Sequence, residues 1–289
     1  MSNRWKALLG ILFAISQTVM IWADTPLWMR YPAISPDGRT IVFSYQGDLF
    51  RVPAGGGEAI ALTRGEGHHQ MPVWSHDGRS IAFASDRFGN FDVFVMPAAG
   101  GEARRLTFHS ANDFPSAFTP DDKAILFTSS RTGTAENAQF PNRMFPQTYT
   151  VSLSGGQAQL VSTVPMEMGV FDAAGGRILF QDVKGYEDPW RKHHISSVTR
   201  DIVLFDRAAG AFRTLTTFQG EDRNPVFAPD GQSFYYLSEQ GGSLNIYRDS
   251  VDKPGTPLPV TTFQKHPVRF LSMAQDRTCL LYTSDAADE

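Results

Sequence analysis

The sequence predicts an all-β fold, a β-propeller built from four-stranded blades, and three observations lead to that prediction. The stretch SPDGRTIVFSYQGDLFRVPAGGGEAIALT, residues 35–63, returns as SHDGRSIAFASDRFGNFDVFVMPAAGGEARRLT, residues 75–107. The turn aspartates of the two copies, Asp37 and Asp77, lie forty residues apart, which is a period typical of propeller blades. The composition also suits packed strands joined by many turns, with 42% hydrophobic residues, 12% aromatic residues, 25 Gly and 18 Pro.

Less exact copies of the repeat extend along the chain and indicate its domain organisation. Units begin near residues 30, 70, 113, 166, 221 and 266, and the sixth reaches only its second strand. Each unit contains short β-rich runs joined by hairpin signals, and four strands per unit fit a propeller better than a β-sandwich. We therefore expect one propeller over residues 24–278, six-bladed in the parent protein, with the sixth blade incomplete here. We also expect that the last blade does not pair with the segment around residues 27–30.

The elements of a unit follow one order. A short first strand is often introduced by a proline, which is tolerable at a strand's first residue, as at Pro32, Pro72, Pro115, Pro225 and Pro267. A turn such as SPDG follows, in which glycine supplies a positive φ, and Asp122 replaces that glycine in the third unit. Apolar runs such as TIVFS and SIAFAS then predict a second strand covered on both faces. The third strands alternate more and suit a position nearer the rim, and an Ala-Gly-Gly-Glu hairpin precedes the fourth strand in the first two units.

Both ends of the chain differ from the repeat. Residues 1–23 combine Arg4 and Lys6, the apolar run ALLGILFAIS and a final Ala23, which is the order of a secretory signal peptide, with an uncleaved anchor as the alternative. The final residues, CLLYTSDAADE, 279–289, resemble translated sequencing-adapter read-through and form a doubtful tail, although CLLYT could occupy a second-strand position. We expect an exported, periplasmic protein that is stabilised by its core, since Cys279 is its only cysteine.

The charge of the chain excludes some classes of partner. The formal net charge is −4, the sequence pI is about 6.0, and no cluster of Lys and Arg is longer than WRK. A surface that binds polyanions requires a concentration of basic side chains. We therefore expect no nucleic-acid partner and no membrane contact beyond the signal segment.

The repeat resembles a known family. The SPDG turns and closing Leu-Thr resemble the PD40 repeat, shared by the translocation protein TolB and by the propellers of tricorn-like proteases, over residues 25–278. The stretches YEDPWRKHHISSVTRDIVLFD, residues 186–206, and DRFGNFDVFVMPAAGGEARRLTFHS, residues 86–110, look like the N-terminal propeller of bacterial tricorn-like, S41-type serine peptidases. That resemblance implies a signal peptide, two propellers, a PDZ module and a C-terminal core with the catalytic Ser, His and Glu, so no catalytic residue is expected in this chain.

The resemblance also implies a function. The propeller would guide or gate peptides or unfolded polypeptide toward the peptidase domains, its second expected partner. A free-standing TolB-like periplasmic module that binds a partner protein is the alternative. The repeat begins soon after the signal segment, without the compact domain that precedes the propeller of TolB-like proteins, and this favours the peptidase interpretation. Association into a homo-oligomer stays open.

One face of the propeller carries the candidate binding residues. The second-to-third-strand hairpins and the connections between blades emerge on that face, together with six of the seven histidines, and the SPDG turns emerge on the other face with His76. Two insertions on the first face, residues 131–147 and 184–198, exceed ordinary hairpin lengths, and such loops are usually functional or disordered. The candidate binding residues in these insertions are Arg131, Arg143, Trp190, Arg191, His193 and His194. A packed lid without a ligand is the alternative.

Other kinds of site receive no support from the sequence. Adjacent histidines point apart, no cysteine accompanies them and no His-Glu-x-x-His motif occurs, so we expect no metal site and no cofactor. The stretch DRFGN has carboxylates at calcium-like spacing, but Gly89 and Asn90 predict a hairpin turn. No Gly-x-Ser-x-Gly elbow marks a nucleophile, and AGGGE and AAGGE are hairpins rather than phosphate loops.

Overall fold

The computed structural model describes residues 29–65, 67–131, 145–186, 195–276 and 279–284. These residues form antiparallel β-sheets, and none of them lies in a helix, which confirms an all-β propeller with four-stranded blades. A search of this part of the chain accordingly finds no helix with the length and hydropathy that crossing a membrane requires. The predicted signal segment, residues 1–23, lies outside the described residues.

Each blade is one antiparallel sheet whose strands pair in chain order. Blade 1 contains β1 (Arg30–Ile34), β2 (Thr40–Tyr45), β3 (Asp48–Pro53) and β4 (Ile60–Ala61). Blade 2 contains β5 (His69–Trp74), β6 (Ser80–Ser85), β7 (Asp92–Pro97) and β8 (Arg104–Arg105). Blade 3 contains β9 (Asp113–Phe118), β10 (Ala124–Ser129), β11 (Gln147–Ser152) and β12 (Gln159–Ser162). Blade 4 contains β13 (Met166–Phe171), β14 (Arg177–Asp182), β15 (Ile202–Asp206) and β16 (Ala211–Thr214). Blade 5 contains β17 (Asp222–Phe227), β18 (Ser233–Ser238), β19 (Asn245–Ser250) and β20 (Leu258–Pro259). A sixth sheet, blade 6, contains β21 (Val268–Met273) and β22 (Leu280–Ser284).

The first strands of the blades surround a central axis. β1 packs against β5, and each following inner strand packs against the next, through β9, β13 and β17 to β21. β21 in turn packs against β1, so the inner strands form a continuous ring. The structure therefore has an axial channel with one inner strand of every blade in its wall.

Blades 6 and 1 meet at a seam that closes by packing. The rings of Tyr31 and Phe270 lie 4.8 Å apart between centroids, and the Ile34 N–H donates to the Ser272 hydroxyl at 3.2 Å. In the part of the chain that the structure describes, β1 forms a ladder with β2 alone and β22 with β21 alone. β22 includes most of the CLLYT run and occupies a second-strand position, which was the alternative interpretation of the tail. The ring is thus continuous at its inner strands, although no ladder crosses the seam.

Neighbouring blades pack face to face and bury the second strands. Five apolar clusters each join two consecutive blades, from the junction of blades 1 and 2 to that of blades 5 and 6. The run Ile81–Ser85 in β6 and the run Ile125–Ser129 in β10 are buried throughout, which confirms strands covered on both faces. In the third strand β7, the run Asp92–Met96 is also buried, so the predicted alternation is wrong there. Both faces of this strand are covered by neighbouring blades.

The SPDG turn is held by hydrogen bonds of its own side chains. The Ser35 hydroxyl donates to Asp37 Oδ1 at 2.6 Å, and the same oxygen accepts the Arg39 N–H at 3.0 Å. Gly38 has a φ of 67°, and Asp122, at the equivalent position of blade 3, has a φ of 53°. The prediction that Asp122 adopts the left-handed conformation is therefore confirmed.

The inner-strand prolines stand deeper in their strands than predicted. Pro32 is the third residue of β1 and Pro72 the fourth of β5, whereas Pro267 directly precedes β21. Each inner strand is the edge of its sheet toward the axis, where a missing N–H removes no ladder hydrogen bond on the open side. The prediction of a first position is wrong because the whole open edge tolerates proline.

Replacing Phe127 with alanine should lower the free energy of unfolding by about 3–5 kcal/mol, because it opens a cavity in the cluster between blades 2 and 3. Phe127 has no exposed surface. The control is Leu160→Ala in the fourth strand of the same blade, where the side chain is 43% exposed and the change should stay below about 0.5 kcal/mol. Urea denaturation measures both values, and equal losses would show that packing between blades does not dominate stability.

Candidate functional site: the axial channel

Two cavities follow the axis of the ring and meet inside it. The larger has a volume of about 620 Å³ and the smaller about 190 Å³. Both are lined by one shared set of side chains, one from each blade: Tyr31, Met71, Ser116, Met168, Asn224 and Phe270. We call these six residues the collar, because they form the boundary between the two cavities.

β-bulges in the inner strands place the collar residues. The register of β5 against β6 shifts between Gln70 and Val73, and Met71, inside this bulge, has a φ of 54°. The collar residues of blades 1, 4, 5 and 6 have φ values from 49° to 55°. Such values are uncommon for residues other than glycine, so backbone strain is concentrated at the collar. In blade 3, Pro115 holds the equivalent position and its ring fixes φ near about −65°, so that Ser116 reaches the collar instead.

The larger cavity opens toward the face of the blade connections. Tyr186, in the second insertion, is part of its lining. Arg200, Arg223, Arg269 and Glu167 also line it. We call this cavity the arginine chamber. It is the one part of the described channel where several guanidinium groups share a cavity.

The smaller cavity opens toward the SPDG turns. Most of its lining is apolar and comes from the inner strands, with Ile34, Val73 and Phe171 among the contributors. Pro36 and His76 line it at the turns. We call this cavity the apolar vestibule. A ligand that passes the collar therefore moves between a charged and an apolar environment.

A buried carboxylate holds two of the arginines against the chamber wall. The Glu221 side chain is 1% exposed, and its oxygens lie 3.3 Å from Arg200 Nη1 and 2.9 Å from Arg223 Nε. Arg200 Nε also lies 3.5 Å from Glu167 Oε2, and Gln181 donates to that oxygen at 3.0 Å. Hydrogen-bonded ion pairs of this kind fix the orientation of the planar guanidinium group. The arginines are thus positioned by the protein itself.

Asp222, beside this network, is fully buried at the first residue of β17. Burial raises the pKa of Asp222 to about 7, and the charges of Asp201 and Glu221 act in the same direction. The hydroxyls of Ser238 and Thr216 lower this pKa to a smaller extent. Asp222 therefore changes its charge near neutral pH.

The equivalent carboxylate of blade 3 has a cationic partner. Asp113, the first residue of β9, forms an ion pair with Arg131. Arg131 and Gln240 hold equivalent positions, since each donates its N–H to the hydroxyl of the serine that ends the second strand, at 3.2 and 3.3 Å. Blade 5 thus has a glutamine where blade 3 has an arginine, which leaves burial to dominate the pKa of Asp222.

Of the predicted binding residues, the structure describes Arg131. Its Nε donates to the Ser129 hydroxyl at 3.1 Å, and its guanidinium lies 5.1 Å from the ring centroids of Phe127 and Tyr149. With its ion pair to Asp113, this side chain holds blade 3 together. The other candidates, Arg143, Trp190, Arg191, His193 and His194, lie outside the described residues, and their role stays a prediction.

The described histidines serve local contacts. His69 is buried, and its ring nitrogens lie 2.9 Å from the Ser85 hydroxyl and 3.2 Å from the Gly65 carbonyl oxygen. His76 joins the turns of blades 2 and 3 through Asp122, 2.8 Å away. No group of three or more His, Cys, Asp and Glu side chains suited to a metal ion occurs within the described ranges.

The DRFGN stretch forms a turn, as predicted. The Gly89 N–H donates to the Asp86 carbonyl at 2.8 Å, and Gly89 has a φ of 105°. Asp86 itself contacts His68, with 3.2 Å between its Oδ2 and the Nδ1 of the ring. The carboxylates of this stretch are thus part of a hairpin.

Sequence reasoning missed the arginine chamber. Arg223 and Arg269 each stand one residue before the collar position, and Arg30 holds that place in blade 1. This recurrence at one register was the available signal. It becomes visible only when the units are aligned on their bulges, which the sequence does not mark.

Comparisons with known proteins agree with this architecture. Residues 26–287 match the family model described as the tricorn protease N-terminal beta propeller domain. A search of curated protein sequences gave no significant match.

The crystal structure of the tricorn protease is similar, with a TM-score of 0.72 and 19% identity, covering 89% of this chain and 24% of that one. A putative TolB from Agrobacterium tumefaciens has a TM-score of 0.68 and 15% identity, covering 89% and 90%. TolB from Acinetobacter baumannii has a TM-score of 0.60 and 21% identity, covering 82% and 55%. The chain thus spans about half of the latter TolB and about a quarter of the tricorn protease.

Replacing Asp222 with asparagine should remove a pH dependence of stability. A carboxyl whose pKa is raised by folding favours the folded state below its unfolded pKa of about 4, and this contribution is lost as the pH rises toward 7. The wild type should therefore lose roughly 3–4 kcal/mol from this group between pH 4 and pH 8, and Asp222→Asn should not.

Urea denaturation at pH 4 and pH 8 measures this difference. The matched control is Asp113→Asn, which leaves Arg131 buried without its carboxylate and should destabilise the protein at both pH values. A wild type and an Asp222→Asn variant with parallel pH profiles would contradict the assignment of a raised pKa to this group.

Proposed function

This chain belongs to the family of tricorn protease N-terminal β-propeller domains, and on that premise we propose that it is a non-catalytic channel module for peptides. Peptides or unfolded polypeptide enter at the face of the blade connections, bind in the arginine chamber and pass the collar. The module guides or gates them toward the peptidase core of a parent protein, a serine peptidase of the tricorn-like type.

The observation that carries the proposal is the axial channel divided by a collar. A chamber of about 620 Å³ falls in the size range of small-ligand pockets, so it accommodates a short peptide segment and excludes a folded domain. The collar adds a second filter, because one residue from each of the six blades lines both cavities where they meet.

The channel wall also suits an extended backbone. Each inner strand is the axial edge of its sheet and presents backbone groups that no ladder uses. Extended peptides bind to such edges through main-chain hydrogen bonds, and neighbouring pockets select their side chains. Prolines such as Pro32 and Pro72 remove donors from this edge, so the wall offers more acceptors than donors to a peptide.

The finer features of the proposal concern the whole protein. We propose that two further strands complete blade 6, because blades 1–5 each have four strands and β22 leaves an unpaired edge in the described residues. We propose export to the periplasm through the signal segment, residues 1–23, on the pattern of charge, apolar run and small residue.

A free-standing TolB-like module that binds a partner protein is the second candidate. The observation in its favour is that the chain covers 90% of the putative TolB from Agrobacterium tumefaciens. In this alternative the face of the blade connections binds a protein segment that is not cleaved. Recovery of the gene beyond Thr278 separates the two candidates, since only the first requires a peptidase core.

Replacing Ser116 with tryptophan should weaken peptide binding, because the bulky side chain fills the collar at its smallest residue and takes space from the chamber that this residue also lines. We expect at least a tenfold rise in the Kd of a fluorescent eight-residue peptide, measured by anisotropy on the full chain. The control is Ser154→Trp, an exposed position in the hairpin between β11 and β12. Unchanged peptide binding in a folded Ser116→Trp variant would contradict the channel proposal.

Shortening the two insertions should weaken peptide binding and leave the ring folded. Residues 132–144 and 187–194 are replaced by short Asn-Gly hairpins, which removes Arg143, Trp190 and Arg191, residue types enriched in binding hot spots. Arg131 and Lys184 are kept, because they form ion pairs with Asp113 and Asp201. Unchanged peptide affinity, with an unchanged unfolding midpoint, would support a packed lid instead.

A further inference from the structure

We propose that the apolar vestibule selects peptides by binding one large apolar side chain, and this inference rests on the proposed function. The peptide backbone stays in the arginine chamber, and the side chain reaches past the collar into the vestibule. The ligand is therefore a peptide that carries a residue of the size of leucine or phenylalanine.

A ring of small side chains lines the vestibule next to the collar. In every blade it comes from the first residue that pairs with the second strand again after the β-bulge, as Val73 pairs with Ala82. We call the six residues at this position the vestibule ring: Ala33, Val73, Ala117, Val170, Val226 and Ser272. None of them is larger than valine, so the ring leaves space at the axis for a side chain of a ligand.

The vestibule ring is also apolar. Ser272 is its one polar member, and the Ser272 hydroxyl accepts the Ile34 N–H at 3.2 Å across the seam. The half-buried Val73, Val170 and Val226 pack on one side against the apolar clusters between blades. Their remaining surface lines the vestibule, so a ligand at this level meets mainly methyl groups.

The vestibule carries no fixed charge in its wall. Among the described residues, no Asp, Glu, Lys or Arg lines this cavity. His76 lines it at the turns, and its ring nitrogen Nδ1 lies 2.8 Å from Asp122 Oδ1. Moving a charged group from water into an apolar cavity without a partner is costly, whereas moving an apolar group is favourable. The wall therefore favours apolar side chains over charged ones.

The size of the vestibule suits a single side chain. Its volume is about 190 Å³. An apolar cavity of about 150 Å³ made by substitution in another protein stays dry and binds benzene. Poorly ordered water in such a cavity is displaced by an apolar group with a gain in affinity. The vestibule thus accommodates one aromatic or branched side chain.

The prolines of the inner strands favour a side chain over a peptide backbone in the vestibule. Pro32, Pro72 and Pro225 directly follow collar residues, line the vestibule and have no N–H to donate. A peptide backbone needs both donors and acceptors when it leaves water. A backbone at this level would find fewer donors for its carbonyl groups, whereas an apolar side chain requires none.

The collar contains residues that adapt to a passing side chain. Met71 and Met168 line both cavities. Methionine is unbranched and fills spaces of irregular shape, so its side chain adjusts to different neighbours. The strained backbone of the collar keeps its place while these two side chains yield.

The test measures the binding of three fluorescent eight-residue peptides with blocked ends to the full chain. They share a host of Gly, Ser and Gln and differ at one central residue, which is Phe, Ala or Gln. We expect the Phe peptide to bind about tenfold more tightly than the Ala peptide, because a large apolar side chain leaves water. The Gln peptide should bind no more tightly than the Ala peptide.

A fourth ligand tests whether the peptide backbone contributes. N-acetylphenylalaninamide carries the same side chain without the neighbouring residues, so we expect it to bind more weakly than the Phe peptide. Equal affinity of the two would show that the vestibule binds small apolar molecules, and peptide selection would be wrong.

Two variants locate the site. Ala117→Leu fills part of the vestibule ring and should reduce the preference for the Phe peptide over the Ala peptide to less than about twofold. Val170→Ala enlarges the ring and should improve binding of a Trp peptide about threefold relative to the Phe peptide. The control Ala208→Leu lies at an exposed position in the hairpin between β15 and β16 and should change neither preference. If Ala117→Leu does not fold, Val170→Ala carries the test.

The outcomes separate this inference from the function on which it rests. Equal affinity for the Phe, Ala and Gln peptides, with all three weakened by Ser116→Trp, would overturn the role of the vestibule and keep the channel. Failure of every peptide to bind would overturn both. A preference for the Phe peptide that neither folded ring variant changes would place the apolar subsite elsewhere and refute the inference.

Discussion

Face-to-face packing between consecutive blades is the constraint on which the rest of the structure depends. A blade has two apolar faces and buries neither by itself, so its second strand becomes core only when neighbours lie on both sides. The five apolar clusters follow this rule, since each combines side chains of two consecutive blades. With a single cysteine in the chain, no intramolecular disulfide supplements this packing.

The same packing creates the channel, because sheets arranged around an axis cannot all bring their inner edges to one point. The β-bulges of the inner strands place the collar residues in the space that remains around the axis. They cost backbone strain at Tyr31, Met71, Met168, Asn224 and Phe270, and this strain is maintained by the well-packed strands behind them. Charged residues follow on one side of the collar and apolar residues on the other, so a local backbone irregularity divides the channel into two chemical compartments.

Sequence alone predicted the parts of the fold that depend on residues close together in the chain. The SPDG turns, the buried second strands and the left-handed Asp122 follow from local rules, and all three are present. The arginine chamber could not be predicted in this way, because Arg200, Arg223 and Arg269 are far apart in the chain and meet only at the axis. The ion pair of Arg131 with the buried Asp113 could not be predicted either, because the two residues lie 18 positions apart, and the binding role of Arg131 stays a prediction.

The seam between blades 6 and 1 gives the ring a mechanical property. In a ring under outward load, every joint carries the same hoop tension, and the weakest joint yields first. The chain itself crosses the five other joints, and an apolar cluster fills each of them. At the seam, β1 packs against β21 and β22, which are far from it in the chain, and the contacts include the Tyr31–Phe270 pair. Two collar residues form that contact, so widening of the ring at this joint also widens the collar. The width of the channel is thus coupled to the one joint that the chain does not cross.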